Sequence, residues 1–399
     1  MAPPLNSVII PVYRVAKYLP ECLDSVLGQD GPPIEVIAVD DASPDASGAI
    51  LDQRAAADGR LRVIHLADNR GQGHARLTGL GQASGDYIWF VDGDDRIADG
   101  ALAAIGARLA GADNSKMQQP ADNSKKRGAA DSSKKQAADA DNSKTRPDVL
   151  LIDWVSSYPD GRVVPSPGRE LLAAVPPAGA TLAAQPQLID LTMTVWSKLL
   201  RREFLAGLGT GFGPGIHEDV PLTCAALLGA ESIQALDRVC YCYRSDRPGS
   251  AMATSGFAHL AVFTSYAKVF SLLDQTPVSD AVRTAIFERA IWHYSTVLEA
   301  RGPDGTGLVP PFKRADYFRT MHREFRTRRP PGYRFPPGPR GIKFRLVAIG
   351  SYSAYALLAR LNRVRVAAAA DHGHLAPGTD ETNGEKVHPE ISPRARNDR

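Results

Sequence analysis

The chain has 399 residues, of which 43% are hydrophobic and 23% are charged. That composition is typical of a globular protein, and the length accommodates roughly two domains on a prior of ~150 residues each. The near balance of 47 basic and 44 acidic residues excludes a wholly basic nucleic-acid coat and an acidic solvating chain. No apolar run reaches the ~18 residues of a membrane-spanning helix, which excludes a polytopic membrane protein.

Cysteine usage and the first residues bear on the compartment. Four cysteines in a chain of this length are too few for a disulfide scaffold. The N-terminus has neither the basic segment nor the apolar segment that directs export. We therefore expect a protein of a reducing compartment, the cytoplasm.

Strand and helix patterns alternate over the first ~110 residues. Such alternation predicts an α/β fold with a doubly wound, mostly parallel sheet. In sheets of this kind a ligand lies beyond the carboxyl ends of the strands, where this chain places its acidic residues. The predicted strands are 7–12, 34–39, 62–66 and 87–91, and the predicted helices are 16–27 and 46–57.

The composition changes sharply at residues 112–146. The motif Ala-Asp-Asn-Ser-Lys occurs three times there, and Met117 is the only large apolar side chain. Because such a segment cannot bury enough apolar surface to offset its ordering entropy, we expect a disordered insertion in a surface loop. The polar residues 367–399 are likewise predicted to form a disordered tail.

Strand and helix signals resume at Asp148, and helical patterns dominate from Phe257 to about Ala300, which predicts a helical extension at 256–310. A basic amphipathic segment at 311–366 follows. Residues 312–366 contain 14 Lys and Arg against two acids, whereas residues 1–111 contain 9 basic and 15 acidic residues.

Two interpretations of this basic segment remain open. The 14 uncharged residues Leu346–Ala359 are too few to span a membrane, but a helix bordered by arginines can lie in the interface of an anionic membrane. Alternatively, the segment packs on the rest of the protein and exposes a solvated basic face. Nucleic acid is not an expected partner, because aromatic residues are not regularly interleaved with the charges.

Two acidic groups follow predicted strands, Asp40-Asp41 and Asp92-Gly93-Asp94-Asp95. Carboxylates one residue apart on such a turn can converge on Mg²⁺ or Mn²⁺, which takes its remaining ligands from water and phosphate. An EF-hand is excluded, because Ile97 and Ala103 replace the glycine and the bidentate glutamate of that loop. A solvated acidic turn remains the alternative.

A third acidic group, His217-Glu218-Asp219, follows a glycine-rich stretch. Ionisable residues in a flexible loop are typical of a general base on a mobile lid. The alternative is that Asp219 caps a helix ahead of the apolar run from Leu222 to Leu228. Cys240 and Cys242 lack a second ligand pair at zinc spacing, so we expect them in the core.

Taken together, these segments resemble family 2 glycosyltransferases, which have the GT-A fold. In the nucleotide-sugar half the matching segments are 7–13, 35–45, 69–71 with 75–76, and 85–95. In the acceptor half they are 195–202, 217–219, 241–244 and 249–250. The resemblance covers about residues 5–255, and we predict a GT-A domain at 1–255 that carries the insertion.

The resemblance assigns roles to residues of the donor site. It implies that Pro11 and Tyr13 line the pocket for the base and that Asp41 accepts a hydrogen bond from the uracil N–H. Arg76 would approach the phosphates, and Asp92 would lie near the ribose and the metal. Thr78 stands where the family often has asparagine, which leaves the donor sugar open.

The resemblance also implies a metal ion and an acceptor side. Asp94, with Asp92, would hold the Mn²⁺ or Mg²⁺ that carries the diphosphate. Asp219 would be the general base, with Glu218 beside it. The residues that would shape the acceptor side are Trp196, Lys198 and Arg244.

We therefore expect an inverting, metal-dependent transferase that moves a sugar from a nucleotide-sugar, a UDP-sugar by this resemblance, to a cell-envelope polysaccharide, a teichoic-acid-like polymer or a lipid-linked acceptor. It would act at the cytoplasmic face of the membrane. A sugar-nucleotide pyrophosphorylase is disfavoured, because the first strand lacks a glycine-rich loop with a lysine. A catalytically silent protein that binds nucleotide-sugar or anionic polymer remains the alternative.

Overall fold

The computed structural model describes residues 6–110, 146–191, 193–213, 215–245, 247, 256–302 and 305–371, with side chains up to Arg363. Apart from residue 146 and residues 367–371, the predicted insertion and tail lie outside these ranges. The described residues form two compact units, one up to Gly350 and one from Ser351.

The first part of the larger unit alternates strands and helices as the sequence predicts. Its parallel strands are ordered β3-β2-β1-β4. Strands β1, β2 and β4 are almost wholly buried because helices cover the sheet, whereas β3 at the sheet edge buries only Leu61. The elements are β1 (Asn6–Val12), α1 (Leu19–Leu27), β2 (Ile34–Asp40), α2 (Ser47–Ala57), β3 (Leu61–His65), α3 (Gln72–Leu80) and β4 (Tyr87–Phe90).

The next segment completes the sheet with strands that run in both directions. Its strands are β5 (Arg96–Ile97), β6 (Val149–Ser157), β7 (Val163–Pro165), β8 (Lys198–Arg201) and β9 (Ile233–Arg244). Its helices are α4 (Ala101–Leu109), α5 (Arg169–Ala173), α6 (Arg202–Gly207) and α7 (Asp219–Gly229), with a 3₁₀ turn at Pro186–Asp190.

Pairing in this second half brings distant parts of the chain side by side. Strand β8 lies antiparallel between β4 and β6, whereas β9 runs parallel to β6. The path through the sheet is β3-β2-β1-β4-β8-β6-β9-β5, with β7 beside β6. The α/β class is therefore confirmed, and the parallel arrangement holds for the first four strands while the later strands form a mixed sheet. Cys240 and Cys242 are buried, and Cys240 belongs to the core as predicted.

The remaining helices of the larger unit follow β9. They are α8 (Ala261–Gln275), α9 (Asp280–Glu299), α10 (Arg314–Arg328) and α11 (Gly338–Ala348), with 3₁₀ turns at Phe257–Leu260 and Pro311–Lys313. Helix α10 buries Tyr317, Phe318, Met321 and Phe325. The Tyr317 hydroxyl donates to the carbonyl of Tyr294 on α9 over 3.1 Å, so α10 packs on the helical region and keeps its basic face outward.

The prediction of one helix across Leu346–Ala359 is wrong. Helix α11 ends at Ala348, and a new helix, α12 (Tyr352–Asp371), lies in the second unit. Between them Gly350 has φ +74°, a left-handed conformation in which glycine commonly ends a helix. Among the described residues, no helix is long and apolar enough to cross a membrane.

Candidate functional site

The carboxyl ends of β1, β2 and β4 meet at one edge of the sheet. The Asp41 amide donates to the carbonyl of Val12 over 2.9 Å, and both oxygens of the buried Asp41 carboxylate accept 2.8 Å bonds from the amides of Arg70 and Gly71. Gly71 has φ +87°, a conformation that glycine adopts without strain. Asp41 therefore fixes the loop that leads into α3.

The turn after β4 presents three carboxylates with different surroundings. Asp95 is buried, where it accepts 2.7 Å bonds from the Tyr241 hydroxyl and the Arg244 amide. Asp94 is ion-paired with Arg247, and Asp92 accepts a 2.9 Å bond from Gln72. Burial, with the charges of the neighbouring aspartates, raises the pKa of Asp95, and burial also raises the pKa of Asp94 despite the charge of Arg247.

The donor atoms of Asp92 and Asp94 fit a divalent cation of the Mg²⁺ or Mn²⁺ type. Oδ2 of Asp92 and Oδ1 of Asp94 take no hydrogen bond from any other described residue, and both residues line a pocket. Mg²⁺ accepts one or two protein carboxylates and completes its shell with water and phosphate oxygens. Within the described ranges, no cluster of three or more His, Cys, Asp or Glu side chains is arranged to hold a metal.

Arg76 on α3 connects the Asp92 turn to the loop that precedes α7. One guanidinium nitrogen donates to Asp92 over 2.6 Å and the other to Glu218 over 2.5 Å. The side chain is only 2% exposed and lies over the Phe212 ring at 5.4 Å. Burial alone would lower the pKa of Arg76, but the carboxylates around it outweigh burial and raise that pKa.

Asp219 is the first residue of α7 and is partly buried in the wall of the same pocket. Its carboxylate accepts no hydrogen bond from the described residues, and no side-chain cap is present at this helix start, so the capping interpretation is not supported. Burial first, and then the charge of Glu218, raises the pKa of Asp219 to about 7, although Arg76 and Lys198 oppose the shift. A carboxylate with this pKa can take up a proton near neutral pH.

The residue before this acidic pair has an unusual backbone. His217 has φ +67°, a left-handed conformation that is costly for a residue with a side chain. Its ring lies 3.5 Å from His259 (Nε2 to Nδ1) and packs edge-on against His293 of α9, with ring centroids 4.9 Å apart. Burial, together with His259, lowers the pKa of His217 to about 3, so these contacts involve a neutral imidazole.

Aromatic side chains form another wall of the pocket. Trp196 stacks on Tyr241 with centroids 4.5 Å apart and on Tyr243 at 5.6 Å, and Trp154 meets it edge-on at 5.1 Å. Trp154, Trp196 and Tyr243 face the pocket. Flat aromatic faces of this kind suit the apolar C–H faces of sugar rings.

These groups share one pocket of about 350 Å³. Acidic and basic side chains from the Asp92 turn, the His217 loop and α9 line this pocket together with the aromatic wall. Its lining consists of Gln72, Arg76, Asp92, Asp94, Trp154, Ser156, Met193, Thr194, Trp196, His217, Glu218, Asp219, Tyr243, Arg247, Arg289 and His293.

The sequence of this region matches a known family. Residues 7–147 match the model of "Glycosyl transferase family 2". Over these residues the chain is similar to family 2 glycosyltransferases. The matched residues include the strands β1 to β4 and the Asp92 turn that this pocket uses.

Curated relatives carry glycosyltransferase names. EpsJ of Bacillus subtilis (strain 168), named an uncharacterized glycosyltransferase, is 31% identical over 246 residues, which are 61% of this chain and 62% of that protein. The poly(ribitol-phosphate) beta-glucosyltransferase of Bacillus spizizenii is 41% identical over 99 residues, which are 24% of this chain and 16% of that protein. The chain thus spans less than two thirds of the length of these relatives.

A solved structure shares the fold over most of the chain. S. aureus TarS residues 1–349, in complex with UDP-GlcNAc, superposes with a TM-score of 0.62 at 20% identity, covering 90% of this chain and 91% of TarS 1–349. This similarity confirms the predicted GT-A-type architecture with its helical C-terminal region.

The structure brings six of the predicted site residues into the pocket. They are Arg76, Asp92, Asp94, Trp196, Glu218 and Asp219. Arg76, expected near phosphates, is here held by two carboxylates, so phosphate contact stays a prediction.

The other predicted residues lie outside the pocket lining. Pro11 is buried, Tyr13 is 39% exposed at the end of β1, and Asp41 is engaged by backbone amides. Lys198 is buried and donates to the Thr194 carbonyl and the Ser197 hydroxyl, and burial lowers its pKa to about 7. Their predicted roles in binding are not tested by this geometry.

Arg244 contacts the backbone of the Asp92 turn and is not among the residues that line the pocket. Its side chain donates to the Asp94 carbonyl over 2.9 Å and to Glu21 over 2.7 Å, and it lies over the Tyr18 ring at 4.9 Å. It therefore holds the turn in place, and its predicted acceptor contact is untested.

Sequence reasoning missed Arg247, Arg289 and His293. Arg247 lies three residues beyond β9, and it pairs with Asp94 of the turn after β4. A basic residue shortly after a strand was the only signal in the sequence that could have indicated this pairing. Arg289 and His293 are four residues apart on α9, and that spacing places them on one face. Nothing in the sequence marked that face as the one that meets the pocket.

Proposed function

We propose that this protein is an inverting glycosyltransferase that moves a sugar from a UDP-sugar to an anionic or lipid-linked cell-envelope glycan, with a divalent cation. The observation that carries the proposal is that one pocket is lined both by groups suited to a diphosphate with a cation and by groups suited to an acceptor, which we call its donor end and its acceptor end. The donor end consists of Asp92, Asp94 and Arg247, and the acceptor end consists of Trp196, Asp219, Arg289 and His293.

The acceptor end supports base catalysis in a single displacement. The Asp219 carboxylate accepts no hydrogen bond from a described residue, and burial raises its pKa to about 7, so it can take the proton of an acceptor hydroxyl at neutral pH. The hydroxyl oxygen then attacks the anomeric carbon from the face opposite the leaving diphosphate. One base and one stabilised leaving group suffice, and inversion at that carbon follows.

The donor end supports departure of the diphosphate. Asp92 and Asp94 would hold Mn²⁺ or Mg²⁺ through their free oxygens, and Arg247 lies beside them. When bound, such a cation neutralises charge that develops on the leaving group. Arg76 keeps the Asp92 turn in register with Glu218, next to the base.

The names of similar proteins support the choice of substrates. TarS has a structure with UDP-GlcNAc, and one curated relative is named a poly(ribitol-phosphate) beta-glucosyltransferase. From these names we infer that the nucleotide of the donor is UDP and that the acceptor is a cell-envelope polymer. The sugar that is transferred has to be identified by experiment.

Contact with an anionic membrane at the cytoplasmic face is part of this proposal. Residues 312–366 carry a net charge of +12 from 14 basic and two acidic residues. Arg319 and Arg323 on α10 are 77% and 69% exposed, and Ile349 is 71% exposed. In α12, Leu357 and Leu361 are each 58% exposed and four residues apart, which gives that helix an apolar stripe beside its arginines.

A release assay tests the function directly. The protein is incubated with a panel of UDP-sugars and matched GDP-sugars, with Mn²⁺, with Mg²⁺ and with chelator. We expect slow release of UDP from one or a few UDP-sugars, dependent on the metal, and none from the GDP series. If no sugar nucleotide is hydrolysed and UDP with metal does not raise the melting temperature, the proposal fails and the catalytically silent alternative is favoured.

A further inference from the structure

Arg289 reaches the pocket from α9, outside the segment matched to the family. It lines the acceptor end together with His293, one helical turn further on. The Arg289 guanidinium donates to the backbone carbonyl of Asp190 over 3.3 Å. Its Nε is buried and has no hydrogen-bond partner among the residues that the structure describes.

Arg289 differs from the other arginines of the pocket, because no carboxylate of the described residues forms an ion pair with it. Arg76 is paired with two carboxylates and Arg247 with Asp94. Among the described residues, no carboxylate oxygen lies within 4 Å of the Arg289 guanidinium. The nearest acidic residue in its contacts, Asp190, directs its carboxylate to Arg340 at 3.2 and 3.3 Å and offers Arg289 only the neutral carbonyl.

An arginine without an ion-pair partner in a partly buried pocket wall lowers the stability of the folded protein unless an anion binds to it. Arginine stays charged at every accessible pH, and a buried charge without a partner lowers stability. Its planar fork of N–H groups matches the oxygens of phosphate or carboxylate. The site therefore has the charge and the donors for an oxyanion.

The neighbours of Arg289 favour an acceptor group over the donor diphosphate. His293 lies beside it, with Nδ1 3.2 Å from the Tyr266 hydroxyl, and its Nε2 makes no hydrogen bond with a described residue. Burial, with His217 and Arg289 nearby, lowers the pKa of His293, so the neutral ring adds a hydrogen-bonding group without adding charge. The donor end has its own cation, Arg247, paired with Asp94.

We infer that Arg289, with His293 beside it, binds an oxyanion carried by the acceptor, so that the preferred acceptor is a polymer with a phosphate or carboxylate near the reacting hydroxyl. This inference rests on the proposed function and specifies its acceptor. It makes Arg289 a specificity-determining residue, because a neutral glycan leaves the guanidinium unbalanced.

The test compares wild type with Arg289→Gln and Arg289→Lys on three short, fluorescently labelled probes. These are a phosphodiester-linked alditol oligomer, a uronic-acid oligosaccharide and a neutral oligosaccharide. Binding is measured by anisotropy, and transfer is measured separately with the active UDP-sugar. Arg283→Gln is the matched control, because Arg283 lies on the same helix but pairs with Asp274 at the surface. Melting temperatures verify that each variant folds.

We expect Arg289→Gln to weaken binding of one anionic probe at least about tenfold, as loss of a charge-assisted contact should, and to raise its KM in transfer. Arg289→Lys should restore part of the affinity, and Arg283→Gln should have no effect. The probe that responds identifies phosphate or carboxylate as the ligand. Unchanged affinity for both anionic probes, an equal loss for the neutral probe, or weaker UDP-sugar binding in Arg289→Gln would overturn the inference.

The two measurements separate this inference from the proposed function. Loss of anionic-probe binding in Arg289→Gln, in a protein that never releases UDP, would preserve the oxyanion site and reject the transferase. If the rate of transfer does not depend on residue 289, the proposed function stands and the oxyanion site at Arg289 is rejected.

Discussion

At the donor end of the pocket, the carboxylates Asp92 and Asp94 come from a single turn that directly follows β4, and Arg247 joins them from beyond β9. At the acceptor end, Trp196, Asp219 and Arg289 come from three separate segments of the chain. The carboxylates of the donor end depend on local geometry, because a strand that stops at a sheet edge presents the next residues to the ligand. The acceptor end depends on the packing of α7, α9 and β8. Local motifs therefore specify where the nucleotide-sugar would bind, and tertiary packing specifies what would receive the sugar.

The largest effect is expected from breaking the donor end alone. Asp94→Ala removes a predicted metal ligand and leaves Arg247 without its carboxylate. Because electrostatic stabilisation of the leaving diphosphate contributes several kcal/mol, UDP release should fall at least about a hundredfold. The measurement is the release rate across a titration of Mn²⁺, with Asp24→Ala as an exposed control. Undiminished release at every metal concentration would remove Asp94 from the metal site.

The pH dependence isolates the acceptor end. Burial and Glu218 raise the pKa of Asp219 to about 7, so the protonated form dominates below that pH and cannot accept a proton. The kcat/KM for the acceptor should therefore fall about tenfold per pH unit below the pKa and level off above it. A profile that stays flat from about pH 5 to pH 8 would mean that Asp219 does not titrate as the base.

The coupling between the two ends can be tested at Arg76. Arg76→Lys keeps one charge but loses the two-pronged contact with Asp92 and Glu218. We expect kcat to fall about tenfold, because a lysine cannot hold both carboxylates as the guanidinium does, while the dissociation constant of the UDP-sugar changes little. A large rise in that constant with kcat preserved would instead make Arg76 a phosphate ligand, as the family resemblance implied. Arg54→Lys, at an exposed pair with Asp24, is the control.

The basic segment 312–366 lies outside the two ends of the pocket. Changes in it should therefore affect membrane binding and have the smallest effect on the rate of transfer. The double variant Arg319→Gln and Arg323→Gln removes two exposed charges from α10. At about 1 kcal/mol per basic residue, the loss of two should weaken binding to anionic vesicles at low salt about thirtyfold. Co-sedimentation with anionic and zwitterionic vesicles measures it. Wild-type protein that ignores anionic vesicles would exclude a membrane role for 312–366.

The sequence predicted the first half of the fold closely because its signals are local. The apolar runs that became β1, β2 and β4 end within two residues of their predicted bounds. Acidic turns follow β2 and β4, whereas β1 runs through Pro11 to Val12. The antiparallel position of β8 between β4 and β6 was not predictable, because it depends on pairing with segments about fifty and about a hundred residues earlier in the chain.

The candidate site divides in the same way. Asp92, Asp94 and Asp219 could be named from motifs that follow strands or precede a helix. Arg289 and His293 could not, because the apolar spacing of α9 predicts a helix and gives no information about which polar residues face a cavity. The single helix expected across Leu346–Ala359 failed for a local reason, since one glycine with φ +74° ends α11.

The most direct test of the account is Asp219→Asn. This change keeps the size of the side chain and removes its basicity, so the protein should bind its UDP-sugar with metal as tightly as wild type. Transfer to the acceptor should fall by about a thousandfold, within the range that general-base catalysis contributes. Calorimetric binding of the UDP-sugar beside a single-turnover transfer assay gives both quantities. An Asp219→Asn protein that transfers sugar at the wild-type rate would contradict the assignment of the base, and with it the acceptor end of the pocket.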